Sequence, residues 1–79
     1  MNSSFFATTD LPLATFLKCN DIPLAEEYNM DTKEWFFQDP AACKKLSLDL
    51  ANGESSVSVL QYEMHRKHLL SLAKRSRAR

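Results

Sequence analysis

A small α+β domain is the fold class this sequence predicts: a three-stranded, mostly antiparallel sheet packed with three helices. Three observations lead there. The local patterns run strand, helix, strand, strand, helix, helix, which suits a sheet covered by helices rather than a bundle or a sandwich. Two helical stretches open on an aspartate with a proline close behind, "DLPLATFLKC" and "DPAACKKLSLDLA". The 79 residues leave room for one apolar core, and five phenylalanines, two tyrosines and one tryptophan are enough large side chains to fill it. The domain is expected over residues 1–76, with 77–79 a frayed basic end.

The first strand is expected at about 4–8, where "SFFAT" is aromatic and β-branched. A helix follows at about 10–19. Asp10, or Thr9 before it, can accept a hydrogen bond from the first-turn amides, and Pro12 sits where a missing N–H is harmless. Leu13, Phe16 and Leu17 fall on one face, and Asn20 is the expected left-handed terminator.

The second and third strands, about 22–29 and 33–38, read as a hairpin with Asn29 and Asp31 as turn formers. Ile22, Leu24 and Tyr28 share one pleat face, interrupted by Glu26. Trp35 and Phe37 share a face, and Phe36 points the other way. A bulge or a covered second face would accommodate three successive aromatics.

The second helix, about 40–51, has Asp39 as its cap, Pro40 at its first position and Gly53, the only glycine, just past its end. Ala42, Cys43, Leu46 and Leu50 form its apolar stripe. The last helix is expected at about 58–76.

The zero formal charge conceals an asymmetry. All ten acids and four lysines lie in residues 1–64, net −6, whereas residues 65–79 carry the remaining six cations and no acid, net +6. A cationic end on an acidic body permits binding to a polyanion, and equally head-to-tail attraction between copies. No apolar run approaches the ~18 residues that span a bilayer, and no signal-peptide pattern opens the chain. The expectation is a protein without membrane partners, located in the cytoplasm, or inside the host cell if viral. Asn2-Ser3-Ser4 matches a glycosylation acceptor that has meaning only after secretion.

Catalysis finds no footing. Asp10 and Asp39 are expected to cap helices, and Asp21 and Asp31 to lie in turns. GxSxG, HExxH and glycine-rich phosphate loops are all missing from the sequence. We expect no enzyme activity and no cofactor. Cys19, Cys43, His65 and His68 are the only candidate metal ligands. The cysteines are 24 positions apart on apolar stripes and lack zinc-site spacing, so free thiols and no metal are expected.

On a wheel of about 100° per residue, Val59, Tyr62, Leu69, Leu70 and Ala73 share the sector that should anchor the last helix. Arg66 falls in the same sector, where its stem can lie along apolar surface. Lys67 and Lys74 share one flank, and His68, Arg75 and Arg79 the other. Lys74, Arg75 and Arg77 also offset the helix dipole, by about 0.3–1 kcal/mol each. A helix that reads base edges presents polar residues along one line; these cations ring the axis instead, which favours contact with phosphates irrespective of sequence. Arg66, Lys67, Lys74, Arg75, Arg77 and Arg79 are therefore the candidate nucleic-acid-binding residues, for DNA or RNA. Phe36, Leu60 and Met64 are apolar residues left outside one core, and are the candidate interface with a second copy or a host protein.

The segment "FFATTDLPLATFLKCN", with the aromatic hairpin arm, the Asp-capped helix and the Tyr-led basic last helix, resembles a small uncharacterised domain family of phage, plasmid and prokaryotic genomes, a domain of unknown function. The matching positions are Phe6, Thr8, Thr9, Asp10, Leu13, Ala14 and Leu17, then Phe36 or Phe37, then Tyr62 and Leu69. The likeness runs from about Phe5 to Leu72 and departs at Asn20, where the pattern has a glycine closing the first helix. It implies a mobile-element setting and a small α+β fold, and carries over no catalytic residue. The reading is a non-enzymatic binding module with non-specific nucleic-acid contact through its basic last helix. The alternative is a protein-interaction or inhibitor domain acting as a homo-oligomer.

Overall fold

The computed structural model describes residues 5–53 and 56–77. Its elements are β1 (Phe6–Thr8), α1 (Leu11–Cys19), β2 (Leu24–Asn29), β3 (Glu34–Phe37), α2 (Pro40–Ala51) and α3 (Val59–Arg77). The class and order are those the sequence predicts, with ends moved by one or two residues. Position 4, the expected start of the first strand, and the Asn2-Ser3-Ser4 triplet lie outside the described residues.

The strands stand in the order β1-β3-β2, and β3 is antiparallel to both neighbours. β1 and β2 are therefore parallel to each other, and α1 is the crossover that such a pair requires. In register, Phe6 faces Phe37, Ala7 faces Phe36 and Thr8 faces Trp35. Between β2 and β3 the pairs are Leu24 with Phe37, Glu26 with Phe36 and Asn29 with Glu34. β2 thus advances one residue too many twice, as bulges do. The first extra residue brings Glu26 into register with Phe36 instead of leaving it on the face of Leu24. A carboxylate that regular alternation would press into the core is thereby exposed.

Trp35 and Phe37 are buried, whereas Phe36 on the opposite face is half-buried. The core joins Ala14 and Leu17 of α1, Ile22, Trp35 and Phe37, Cys43 of α2, and Leu69 and Ala73 of α3. Helices thus cover one face of the sheet. The overall extents of 38 × 37 × 17 Å fit that arrangement, since the shortest holds one sheet and one helix layer.

Local chemistry sets the ends. Asp10 accepts from the Leu13 amide at 3.3 Å, and Asp39 from the Ala42 amide at 3.2 Å. Asn29 Oδ1 accepts from the amides of Asp31 and Thr32, so the hairpin turn is an Asx turn. Ser58 Oγ accepts from the Gln61 amide where α3 begins. Gly53 (φ 72) follows α2 in the left-handed region, as expected.

The end of α1 differs from expectation. Asn20 has φ −98, and the left-handed residue is Asp21, with φ 63. The Asp21 amide donates to Lys18 O and the Ile22 amide to Leu17 O, a Schellman closure in which Ile22 and Leu17 join the same core. Asn20 instead turns its side-chain amide back onto Phe16 O at 2.8 Å.

The last helix is also seated differently. Val59, expected against the core, is 79% exposed, and Leu70 and Arg66 are exposed too. The inward stripe is Tyr62, His65, Leu69, Leu72 and Ala73. The physical reason is length. At about 1.5 Å per residue α3 runs for about 28 Å, but α1, against which it packs most, is about 13 Å long. Both fully seated residues, Leu69 and Ala73, belong to the second half of α3, so its first half overhangs.

Candidate nucleic-acid interface

The second half of α3 is a rigid mount. Leu69 and Ala73 fix it against α1 and the sheet, and the side chains that cannot turn inward are set out around it at helical spacing. Arg66, Lys67, Lys74 and Arg75 are all exposed. Among the described residues, no ion pair joins any of the four to a carboxylate of the body. The side chain of Arg77 and the whole of Arg79 lie outside what the structure describes. Lys67 and Lys74, seven apart, edge one shallow depression with Leu70 and Ser71.

A more enclosed feature lies beside it. A half-open cavity of about 300 Å³ sits between the hairpin and α3. Tyr28 and Trp35 supply its aromatic wall, with ring centroids 4.3 Å apart and planes inclined at 48°. Met30 and Lys33 come from the turn that joins the two strands, Thr9 from the residues between β1 and α1, and Leu11 from the first turn of α1. Leu70 and Ala73 of α3 complete it. Among the described residues no carboxylate lines this cavity, and Lys33 is the charged group in its wall. Leu70 belongs both to the cavity and to the depression of Lys67 and Lys74, so the two adjoin.

Sequence reading found the cations and missed the cavity. Its lining comes from four elements and a turn, and no local spacing connects Thr9 with Lys33 or Leu70.

The candidate interface residues divide. Leu60 and Met64 are 81% and 57% exposed on the overhanging half of α3. Neither is covered by its own chain. Phe36 is half-buried in the sheet face turned from the helices, between Ala7 and Glu26.

The four candidate metal ligands are not gathered. Cys43 is buried with its thiol on Gln38 O at 3.4 Å, and Cys19 is half-buried at the end of α1. Both thiols are free. Burial pushes both above their ordinary value of 9.0, and for Cys43 the nearby Asp39 carboxylate adds to the rise. Among the described residues no cluster of three or more His, Cys, Asp or Glu side chains is placed to hold a metal ion. Nor is any helix there long and apolar enough to cross a membrane. Comparison with family models, with curated proteins and with solved structures finds no match to this chain.

Proposed function

We propose that this protein is a non-enzymatic binding module, of phage or mobile-element origin, that contacts nucleic-acid phosphates through α3, from Arg66 onward. One observation carries the contact: Arg66, Lys67, Lys74 and Arg75 stand exposed on a helix whose other side is locked into the core, with no ion pair to a body carboxylate among the described residues. Their spread around the axis suits a polyanion met from the side rather than a groove entered along one line. The mobile-element setting rests on the resemblance carried by Phe6, Thr9, Asp10, Leu17, Tyr62 and Leu69.

Titration of a labelled oligonucleotide at rising salt tests the contact. Four engaged cations give a log–log slope of roughly −3 to −4. Replacing all four with glutamine should remove binding at low salt with the circular dichroism spectrum unchanged. Undiminished binding by that variant overturns the proposal.

A second reading, a protein-interaction or inhibitor domain working as a homo-oligomer, is favoured by a different observation. Val59, Leu60 and Met64 form an apolar surface on the overhang, where a monomer gains nothing by exposing it.

A further inference from the structure

The cavity beside α3 has features that phosphate contact alone does not need. Its wall includes two aromatic side chains, of which Tyr28 is half-buried and Trp35 only 4% exposed, so Tyr28 has the larger accessible surface. Met30, 43% exposed at the turn, adds a polarisable sulfur-bearing side chain to the lining. The volume of about 300 Å³ is at the lower end of the range for small-molecule sites, roughly 300–1,000 Å³, and suits a single flat ring rather than an extended ligand. Lys33 in the wall, and Lys67 and Lys74 across Leu70, select for negative charge next to that ring. A ring with anionic groups on either side is the repeating chemistry of a nucleic-acid strand.

We propose that this cavity takes one unstacked base of a single-stranded nucleic acid, with the flanking phosphates lying on Lys33, Lys67 and Lys74. The inference rests on the reading of α3 as a phosphate-binding helix and adds to it a preference between single strands and duplexes. In a duplex every base face is covered by its neighbours, so a cavity in a protein surface is closed to it. In a single strand a base turns out readily and stacks on any aromatic face, which gives affinity without sequence preference. Asp10 and Asp31 adjoin the lining residues Thr9, Leu11 and Met30 in sequence, and their carboxylates weaken the pull of the three lysines on a phosphate.

Trp35 is the only tryptophan and lines the cavity, so in the folded protein its fluorescence is a probe of that site. The experiment titrates the full chain at low salt with a short oligothymidylate, with a blunt duplex carrying the same number of phosphates, and with thymidine monophosphate. The expected result is quenching of Trp35 by the oligothymidylate, at an affinity at least about tenfold above that of the duplex, with little response to the mononucleotide. Tyr28→Leu and Met30→Ala should each weaken single-strand binding about fivefold or more while leaving duplex binding unchanged. Met30 is exposed, so its replacement keeps the test valid if Tyr28→Leu fails to fold. Equal affinity for single strand and duplex, or a single-strand preference that survives both replacements, overturns the cavity proposal and leaves the phosphate contact standing. Mononucleotide binding as tight as that of the oligomer overturns it in favour of a free-nucleotide site. Absence of any binding to either polymer overturns both readings together.

Discussion

Tyr28 and Trp35 meet across the hairpin with ring centroids 4.3 Å apart, although their strands are out of regular register on either side of Glu26. The two bulges in β2 let Glu26 leave the core face and Tyr28 return to it. The pair should hold the hairpin by about 0.5–1.5 kcal/mol beyond its buried area. Tyr28→Leu keeps most of the apolar surface and removes the ring, so urea denaturation followed by Trp35 emission should show a loss of that size.

Backbone conformation at helix and turn ends makes a second prediction. Asp21 and Lys33 have φ of 63 and 60, a region in which side chains with a Cβ are strained. Asp21→Gly should stabilise the protein by about 0.5–1 kcal/mol, since the Schellman bonds at that position use only backbone. Lys33→Asn should raise the melting temperature slightly and at the same time weaken single-strand binding, because it relieves strain at the price of the cation in the cavity wall. Stabilisation with binding intact would separate Lys33 from the site.

Gly53 reverses the sign. A Cβ there meets nothing within 4 Å, so Gly53→Ala is opposed only by the positive φ. A loss of about 1 kcal/mol is expected by thermal denaturation. A much larger loss would mean that the connection after α2 packs more closely than the structure shows.

The thiols predict an alkaline effect. Cys19 and Cys43 have folded-state values raised above 9.0, so both contribute stability that is complete below pH 9, where the unfolded thiols stay protonated. It is lost as pH rises through the folded values, because the unfolded chain then ionises first. Stability measured between pH 8 and pH 10 should fall, and Cys43→Ala should flatten part of that fall. Labelling with a thiol reagent should reach the half-buried Cys19 before Cys43.

The overhang of α3 makes an association test. If Val59, Leu60 and Met64 pair with a second copy, Leu60→Asp should convert the species seen by light scattering to a monomer, without affecting the melting of the monomer itself. A wild type that stays monomeric at high concentration ends that reading.

Much of this architecture was legible because its signals are local. Asp10, Asp39, Asn29 and Gly53 each act within a few residues of themselves, and each does what its side chain or its lack of one suggests. Errors arose where distant partners decide. Val59 and Leu69 lie on neighbouring parts of one wheel, yet only the second has α1 beneath it, and the shortness of α1 is not written in α3. Thr15 is fully buried although it carries a hydroxyl, because that hydroxyl donates to Leu11 O at 2.8 Å, one turn back in its own helix. The cations were found because charge is visible in composition. The cavity was not, because it exists only once the turn and the last helix have been brought together.

The strand order β1-β3-β2 carries a consequence for synthesis on the ribosome. Phe6 and Thr8 pair only with β3, so the earliest strand stays idle until Phe37 has left the exit tunnel, and α1 waits longer still for Leu69 and Ala73. While the nascent chain grows, only the hairpin has its partner at hand. The sheet is finished by a segment made first and docked late, and any delay between the two leaves the Phe37 side of β3 open to whatever else is nearby.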